Sequence, residues 1–149
     1  MQLYSNLDEF ERQLGNVKKW GRTLEAIQAS TSVQPNVTFS VGDSLTWRKH
    51  EGFETEEYFT ASRRYLRVFF CEAGELSVEY APIETLEPIE GYSDLSDRQK
   101  MTGAGAIVSL EEGNLVIFEA EEPCRVRGSN DFRGITLRVT VEGHSFHNK

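Results

Sequence analysis

Arg64-Tyr65-Leu66-Arg67-Val68-Phe69-Phe70-Cys71-Glu72-Ala73-Gly74-Glu75-Leu76-Ser77-Val78-Glu79-Tyr80-Ala81 is the stretch that decides the fold class. Side chains of a strand alternate between two faces. In the first half, Leu66, Val68 and Phe70 share one face, and Tyr65, Arg67, Phe69 and Cys71 share the other. Ala73-Gly74 is a turn signal. In the second half, Leu76, Val78 and Tyr80 oppose Ser77 and Glu79. Two strands rich in β-branched and aromatic residues, separated by a short turn, mark a β protein.

The same pattern extends outward. Further strands are expected at Val37–Ser40, Ser44–His50, Glu84–Glu90, Ala106–Leu110, Asn114–Glu119, Pro123–Arg127 and Gly134–Val141. Gly42-Asp43, Glu112-Gly113 and Gly128-Ser129-Asn130 supply turn signals between them. In the last strand Ile135, Leu137, Val139 and Val141 oppose Thr136, Arg138 and Thr140. Many short strands at close spacing predict an antiparallel sandwich or barrel over residues 35–142. The apolar faces build the core. For the mixed faces solvent is the default, although Phe69 and Tyr65 favour a polar lumen. Ser93–Gly105 is a long polar excursion that reads as a loop or lid.

Residues 1–30 follow a different period. Asn6 with Glu9 fits a capping box, and Leu7, Phe10 and Leu14 fall on one helical face. Gly15-Asn16 stops that helix. Val17, Trp20, Leu24 and Ile27 then define a second amphipathic helix from about Lys18 to Ala29. The 149 residues are expected to form one domain.

Charge narrows the partners. The formal net charge is −8, and basic runs such as Lys18-Lys19 and Arg63-Arg64 are only two residues long. Binding to nucleic acid needs clustered Lys and Arg, so such a partner is not expected. The N-terminal residues lack the basic start and apolar run of a secretory leader. No segment approaches the roughly 20 apolar residues that cross a bilayer. A cytoplasmic location is the expectation, with Cys71 and Cys124 as buried thiols rather than a disulfide.

Chemistry-bearing motifs are sparse. There is no G-x-S-x-G elbow and no phosphate-binding glycine loop. His144 and His147 lie in a C-terminal tail that supplies metal ligands poorly. His50 reads as a surface histidine. Glu119, Glu121 and Glu122 could pair as glycosidase carboxylates, but a solvated acidic turn explains them more simply.

Phe59-Thr60-Ala61-Ser62-Arg63-Arg64-Tyr65, followed by Gly74 and Val78-Glu79-Tyr80-Ala81-Pro82, resembles the H-R-x-Y…G-x-x-x-I-x-Y-A-P segment of the YhcH/YjgK/YiaL family. Gly42-Asp43-Ser44-Leu45-Thr46, Glu84-Thr85-Leu86, Asp97-Arg98 and Phe146-His147-Asn148-Lys149 extend the likeness along the chain. The resemblance implies a cupin-like double-stranded β-helix, or jelly roll, with two helices at its N-terminus. Many members carry metal-binding His and carboxylate residues in a polar lumen and handle sugars or sugar acids.

The departures from the family pattern cluster at that metal set. Ser62 stands where the family has its first His, Arg67 where it has an acid, Phe69 where a second His or a Gln is usual, and Glu121 where a downstream His is usual. Gly134 replaces one Lys and Arg138 another, while the acid at Glu119 survives. A cation at Arg67 repels a divalent metal, so neither a metal nor another cofactor is expected. Arg67 is expected to pair with Glu79 or Glu119 across the lumen. The candidate substrate-facing residues are Tyr65, Arg67, Glu79, Asp97, Glu119, Glu121 and Arg138, with no catalytic residue among them. The branch of the family nearest in sequence implies an accessory role beside a large β-galactosidase catalytic subunit, with a stand-alone sugar binder or sugar isomerase as the alternative. A homo-oligomer with a filled barrel is the third expectation.

Overall fold

The computed structural model describes residues 1–41 and 44–141. The Gly42-Asp43 turn, the tail after Glu142, His144, His147 and the Phe146–Lys149 match lie outside the described residues. The elements run β1 (Gln2–Tyr4), α1 (Leu7–Leu14), α2 (Lys18–Ala29), β2 (Thr38–Val41), β3 (Leu45–Phe53), β4 (Phe59–Ala61), β5 (Tyr65–Ala73), β6 (Leu76–Tyr80), β7 (Glu87–Pro88), β8 (Gln99–Thr102), β9 (Ala106–Leu110), β10 (Leu115–Phe118), β11 (Cys124–Arg127) and β12 (Ser129–Thr140). They form two six-stranded antiparallel sheets, ordered β1-β10-β5-β12-β3-β2 and β7-β8-β4-β11-β6-β9.

From β3 to β6 and again from β10 to β12, successive strands change sheet. That gives β10-β5-β12-β3 facing β9-β6-β11-β4. This interleaving of two Greek keys is the topology of a jelly roll. The chain is a mainly β, cupin-like jelly roll with two helices laid on its first sheet.

Local chemistry accounts for the helices. The Asn6 side chain accepts from Glu9 N–H at 2.8 Å, and Glu9 reaches back to Ser5 N–H at 2.8 Å. Gly15 closes α1, with its N–H bonded to Glu11 O. A Cβ at Gly15 would stand 2.5 Å from that oxygen. Phe10 and Trp20 are buried and meet edge to face, with Tyr4 completing the row.

The alternation read from β5 separates two apolar cores. Leu66, Val68 and Phe70 join Leu115, Ile117, Ile135, Leu137, Val139, Leu45 and Trp47 beneath the helices. The other face of the same sheet points between the sheets rather than to solvent, which corrects the default expectation for the mixed face. There Phe69, Cys71, Val116, Phe118 and Phe132 meet Leu76, Val78, Cys124 and Val126 of the second sheet. A strand covered on one side by helices and on the other by a second sheet buries both of its faces.

Three strands lack a sequence signal. β1 and β4 have three residues each, too few to show a period. β8 lies within the expected polar loop and buries only Met101. Conversely, Glu84–Glu90 is not a full strand: a 3-10 turn at Ile83–Thr85 precedes the two-residue β7. Pro82 and Pro88 cannot donate to a ladder. The 83–103 excursion folds back on the outer face of the second sheet, where Leu86 and Met101 cover Phe59, Ala61 and Ala81.

Candidate functional site

The space between the sheets is filled at one end and open at the other. Phe53, Phe69 and Phe132 pack at the filled end, with His50 stacked on Phe53 at 4.4 Å between centroids. Beyond them opens a pocket of about 680 Å³, within the size range of small-molecule sites. Strand register builds its wall on the first sheet. Arg48 of β3 faces Thr136 of β12, and Arg138 lies between Thr46 and Arg67 on the neighbouring strands. Alternation directs these side chains inward because Leu45, Trp47, Ile135 and Leu137 take the helix-covered face.

Arg67 is the central charge. Its two terminal nitrogens donate to Glu56 at 3.1 and 2.9 Å, a bidentate pair, and Glu56 also accepts from Val126 N–H at 2.9 Å. Burial works against the Arg67 charge, but the Cys124 sulfur and the Glu56 carboxylate outweigh it and hold its pKa above the ordinary guanidinium value. The expected partners, Glu79 and Glu119, do not hold Arg67. Glu56 lies in the β3–β4 connection, where no periodicity marks a direction, so the sequence offered no signal for it.

Tyr65, Arg67, Glu119 and Arg138 line the pocket. Glu79 does not. Because Leu76 and Val78 take the inner face of β6, Glu79 points outward, beneath the 83–103 excursion. It accepts from Arg125 Nε at 2.9 Å and Gly105 N–H at 2.8 Å, with Arg127 at 3.5 Å. Burial opposes the Glu79 charge, but Arg125 and the Gly105 amide outweigh it and lower its pKa. Glu79 is a staple for the excursion. Glu121 is exposed and lies outside the pocket wall; its backbone carbonyl accepts from Ile83 N–H at 2.9 Å.

Asp97 lies behind the pocket wall, 1% exposed and with a φ of 54°, a conformation aspartate tolerates. It accepts from the Ser62 and Tyr92 hydroxyls, from Arg63 N–H at 2.8 Å and from Arg64 N–H at 3.2 Å. Burial resists its charge, and these donors overcome it and lower its pKa. Arg138 touches the same carboxylate at 3.5 Å and lies over the Tyr65 ring at 4.7 Å. Asp97 therefore positions Arg138 rather than facing the lumen itself.

His50 is a pocket residue, not a surface one. Its Nε2 is 2.9 Å from the Thr136 hydroxyl. Burial, then Arg48 and Arg67, push its pKa down to about 4, so it is neutral at pH 7. The signal was present in the sequence: Thr46, Arg48 and His50 alternate with Leu45 and Trp47. Cys124 is buried beside Arg67, and burial raises its pKa to about 11. It is a protonated thiol with little nucleophilicity.

The metal set implied by the resemblance does not fit these residues. Ser62 is engaged by Asp97, Arg67 places a guanidinium in the lumen, and Phe69 is fully buried in the aromatic fill. Among the described residues, no three of His, Cys, Asp and Glu converge as metal ligands. A lumen centred on a fixed cation disfavours a divalent ion.

The fold and the pocket together define a cupin-like jelly-roll protein with a polar, arginine-lined lumen. No family model matches the chain. Among solved structures it is similar to protein NMB1881 from Neisseria meningitidis, at 13% identity over 76% of this chain and 93% of that one, with a TM-score of 0.45. It is also similar to the CENP-C cupin domain of Drosophila melanogaster, at 10% identity over 72% of each chain, TM-score 0.43. A third is the hydroquinone 1,2-dioxygenase PnpCD in complex with Cd2+ and 4-hydroxybenzonitrile, at 20% identity over 76% of this chain and 68% of that one, TM-score 0.42.

Proposed function

We propose that this protein is a sugar-binding, cupin-like accessory subunit that supports a large β-galactosidase chain acting on lactose-like β-galactosides in the cytoplasm. The observation that carries the binding part is the open lumen pocket of about 680 Å³. Its wall includes Thr38, Thr46, Thr60 and Thr136, several arginines and Tyr65. Hydroxyl-rich ligands suit such donors and acceptors, and an aromatic ring offers a face for stacking on a sugar.

The accessory role rests on the sequence resemblance and on the chemistry of the lumen. In the imidazole–hydroxyl contact of His50 with Thr136 the ring is stacked on Phe53. Among the described residues no carboxylate bonds the second ring nitrogen. A histidine that activates a hydroxyl nucleophile is typically held by such an orienting partner. The lumen holds a ligand, and the large partner supplies the two carboxylates that cleave the glycoside.

The test is co-purification from cell extract with a tagged chain, with lactose hydrolysis measured on the large subunit alone and after adding this chain. A bound glycoside hydrolase whose activity rises on addition supports the assignment. A chain that captures no hydrolase and leaves lactose hydrolysis unchanged removes the accessory role.

A further inference from the structure

The second sheet ends on a strand edge that the fold leaves open. β9 pairs with β6 through all five residues, from Ala106 opposite Tyr80 to Leu110 opposite Leu76, with no bulge. On its other side no strand follows. Among the described residues no backbone bond outside that ladder reaches residues 106–110. Val108 and Leu110 fix the strand in the core between the sheets. Ala106, Ile107 and Ser109 are exposed, and Ile107 leaves 47% of its surface in solvent.

An open edge is a template for another strand, and proteins blunt it with short strands, charges, proline or bulges. The other edges are shorter: β1 has three residues, β2 four, and β7 two, one of them Pro88. β9 carries no such guard. Gly103-Ala104-Gly105-Ala106-Ile107-Val108-Ser109-Leu110 has no charged residue, in a chain of which 27% is charged. A regular, uncharged strand with β-branched residues at its centre favours pairing.

We infer that β9 is a self-association edge: two copies of the chain pair β9 with β9, antiparallel across a two-fold axis at Val108, and join their second sheets into one. The edge fits a second copy of itself. That register sets Ile107 opposite the second copy's Ser109 and makes the two Ile107 side chains diagonal neighbours on the outer face, roughly 7–8 Å apart and within reach of each other. Glu111 and Glu112, which follow the strand, fall opposite the second copy's Gly105 and Ala104, so no like charges face one another. A two-fold contact is closed. The joined sheet then ends on β7 at both sides, where two residues and Pro88 offer no further ladder, which selects a dimer over a fibre. This inference rests on neither the lumen nor the β-galactosidase partnership.

Sedimentation equilibrium of the full chain tests this. One strand pair and its flanks make a small interface, so the concentration series should reach about 0.5 mM. The mass should rise from 16.9 kDa toward twice that value. Each copy carries a charge of −8, so the copies repel, and added salt should tighten the dimer. Ser109→Lys places a lysine on the exposed side of the edge, opposite the second copy's Ile107 and diagonal to its own counterpart. It should weaken the dimer about tenfold or more and leave the thermal midpoint of the dilute monomer unchanged. In the double variant Ile107→Cys, Ser109→Cys the two positions face each other across the axis within disulfide reach. Diamide should cross-link it into a covalent dimer but leave the wild type, whose Cys71 and Cys124 are buried, uncrosslinked. A mass that stays at 16.9 kDa throughout overturns the proposal. So does a dimer that salt dissociates, one that Ser109→Lys leaves intact, or one in which the paired cysteines fail to cross-link, which places the contact on another edge. The cross-linking result decides alone if Ser109→Lys does not fold.

Discussion

At the residue scale, buried charge is held by local donors. Asp97 collects two hydroxyls, two backbone amides and a guanidinium. Replacing it with Asn removes the charge and turns part of an acceptor into a donor. Asp97→Asn should cost about 2–4 kcal/mol in urea unfolding and weaken any lumen ligand held by Arg138. His50 gives a pH prediction. Its folded pKa of about 4 lies below the ordinary 6.5, so the unfolded chain binds the extra proton. The neutral imidazole therefore adds stability that is complete above about pH 6.5 and is lost as pH falls toward 4. The thermal midpoint should fall across that window, and His50→Gln should remove that part of the slope. Asp97 and Glu79, whose pKa values are lowered below 3.8 and 4.5, act at more acidic pH, with stability lost as pH falls through their folded values.

At the element scale, close backbone approaches fix how strands and excursions dock. A Cβ at Gly134 would sit 2.1 Å from Phe70 O and 2.5 Å from the Phe132 ring. This is the irregular point of β12, where its register against β5 shifts between Arg133 and Gly134. Restoring the family's side chain through Gly134→Lys should therefore destabilise the protein by roughly 2–4 kcal/mol, measured by denaturant unfolding. The helices depend on the sheet beneath them. Trp20 is 5% exposed and contacts Phe10 at 5.9 Å. Trp20→Ala should cost about 3–5 kcal/mol. Isolated helices of 8 and 12 residues are too short to persist alone in water, so a peptide of residues 1–30 should show little helical circular dichroism.

At the scale of the whole molecule, strands from distant parts of the sequence build the lumen. The pocket wall draws on β3, β5 and β12, and the apolar core between the sheets joins side chains of both. Exposing that core requires separating the sheets. Cys71 and Cys124 are both buried, and burial raises each thiol to about 11. Their alkylation at neutral pH should be slow in the native state, and its rate should track the global unfolding equilibrium as urea is added. Rapid labelling of Cys124 without urea would contradict its burial. Among the described residues no helix is long and apolar enough to cross a membrane.

The sequence by itself determined what depends on near neighbours. The α1 cap at Asn6, the bounds of α2 and the alternation of β5, β6 and β12 follow from side chains within a few residues of one another. Alternation also divided Arg67 and Arg138 from Leu66 and Leu137, since a strand's two faces are a local property. Only the tertiary structure decided which face looks inward and who pairs with whom. Glu56 holds Arg67 although it lies in an aperiodic connection, and Glu79 points away from the lumen because Val78 takes the interior. β8 exists because β4 offers it a ladder, not because Gln99-Lys100-Met101-Thr102 is apolar. Such pairings join residues far apart in the chain, and the energy that selects them comes from burial and complementary charge once the sheets have met, which no local pattern contains.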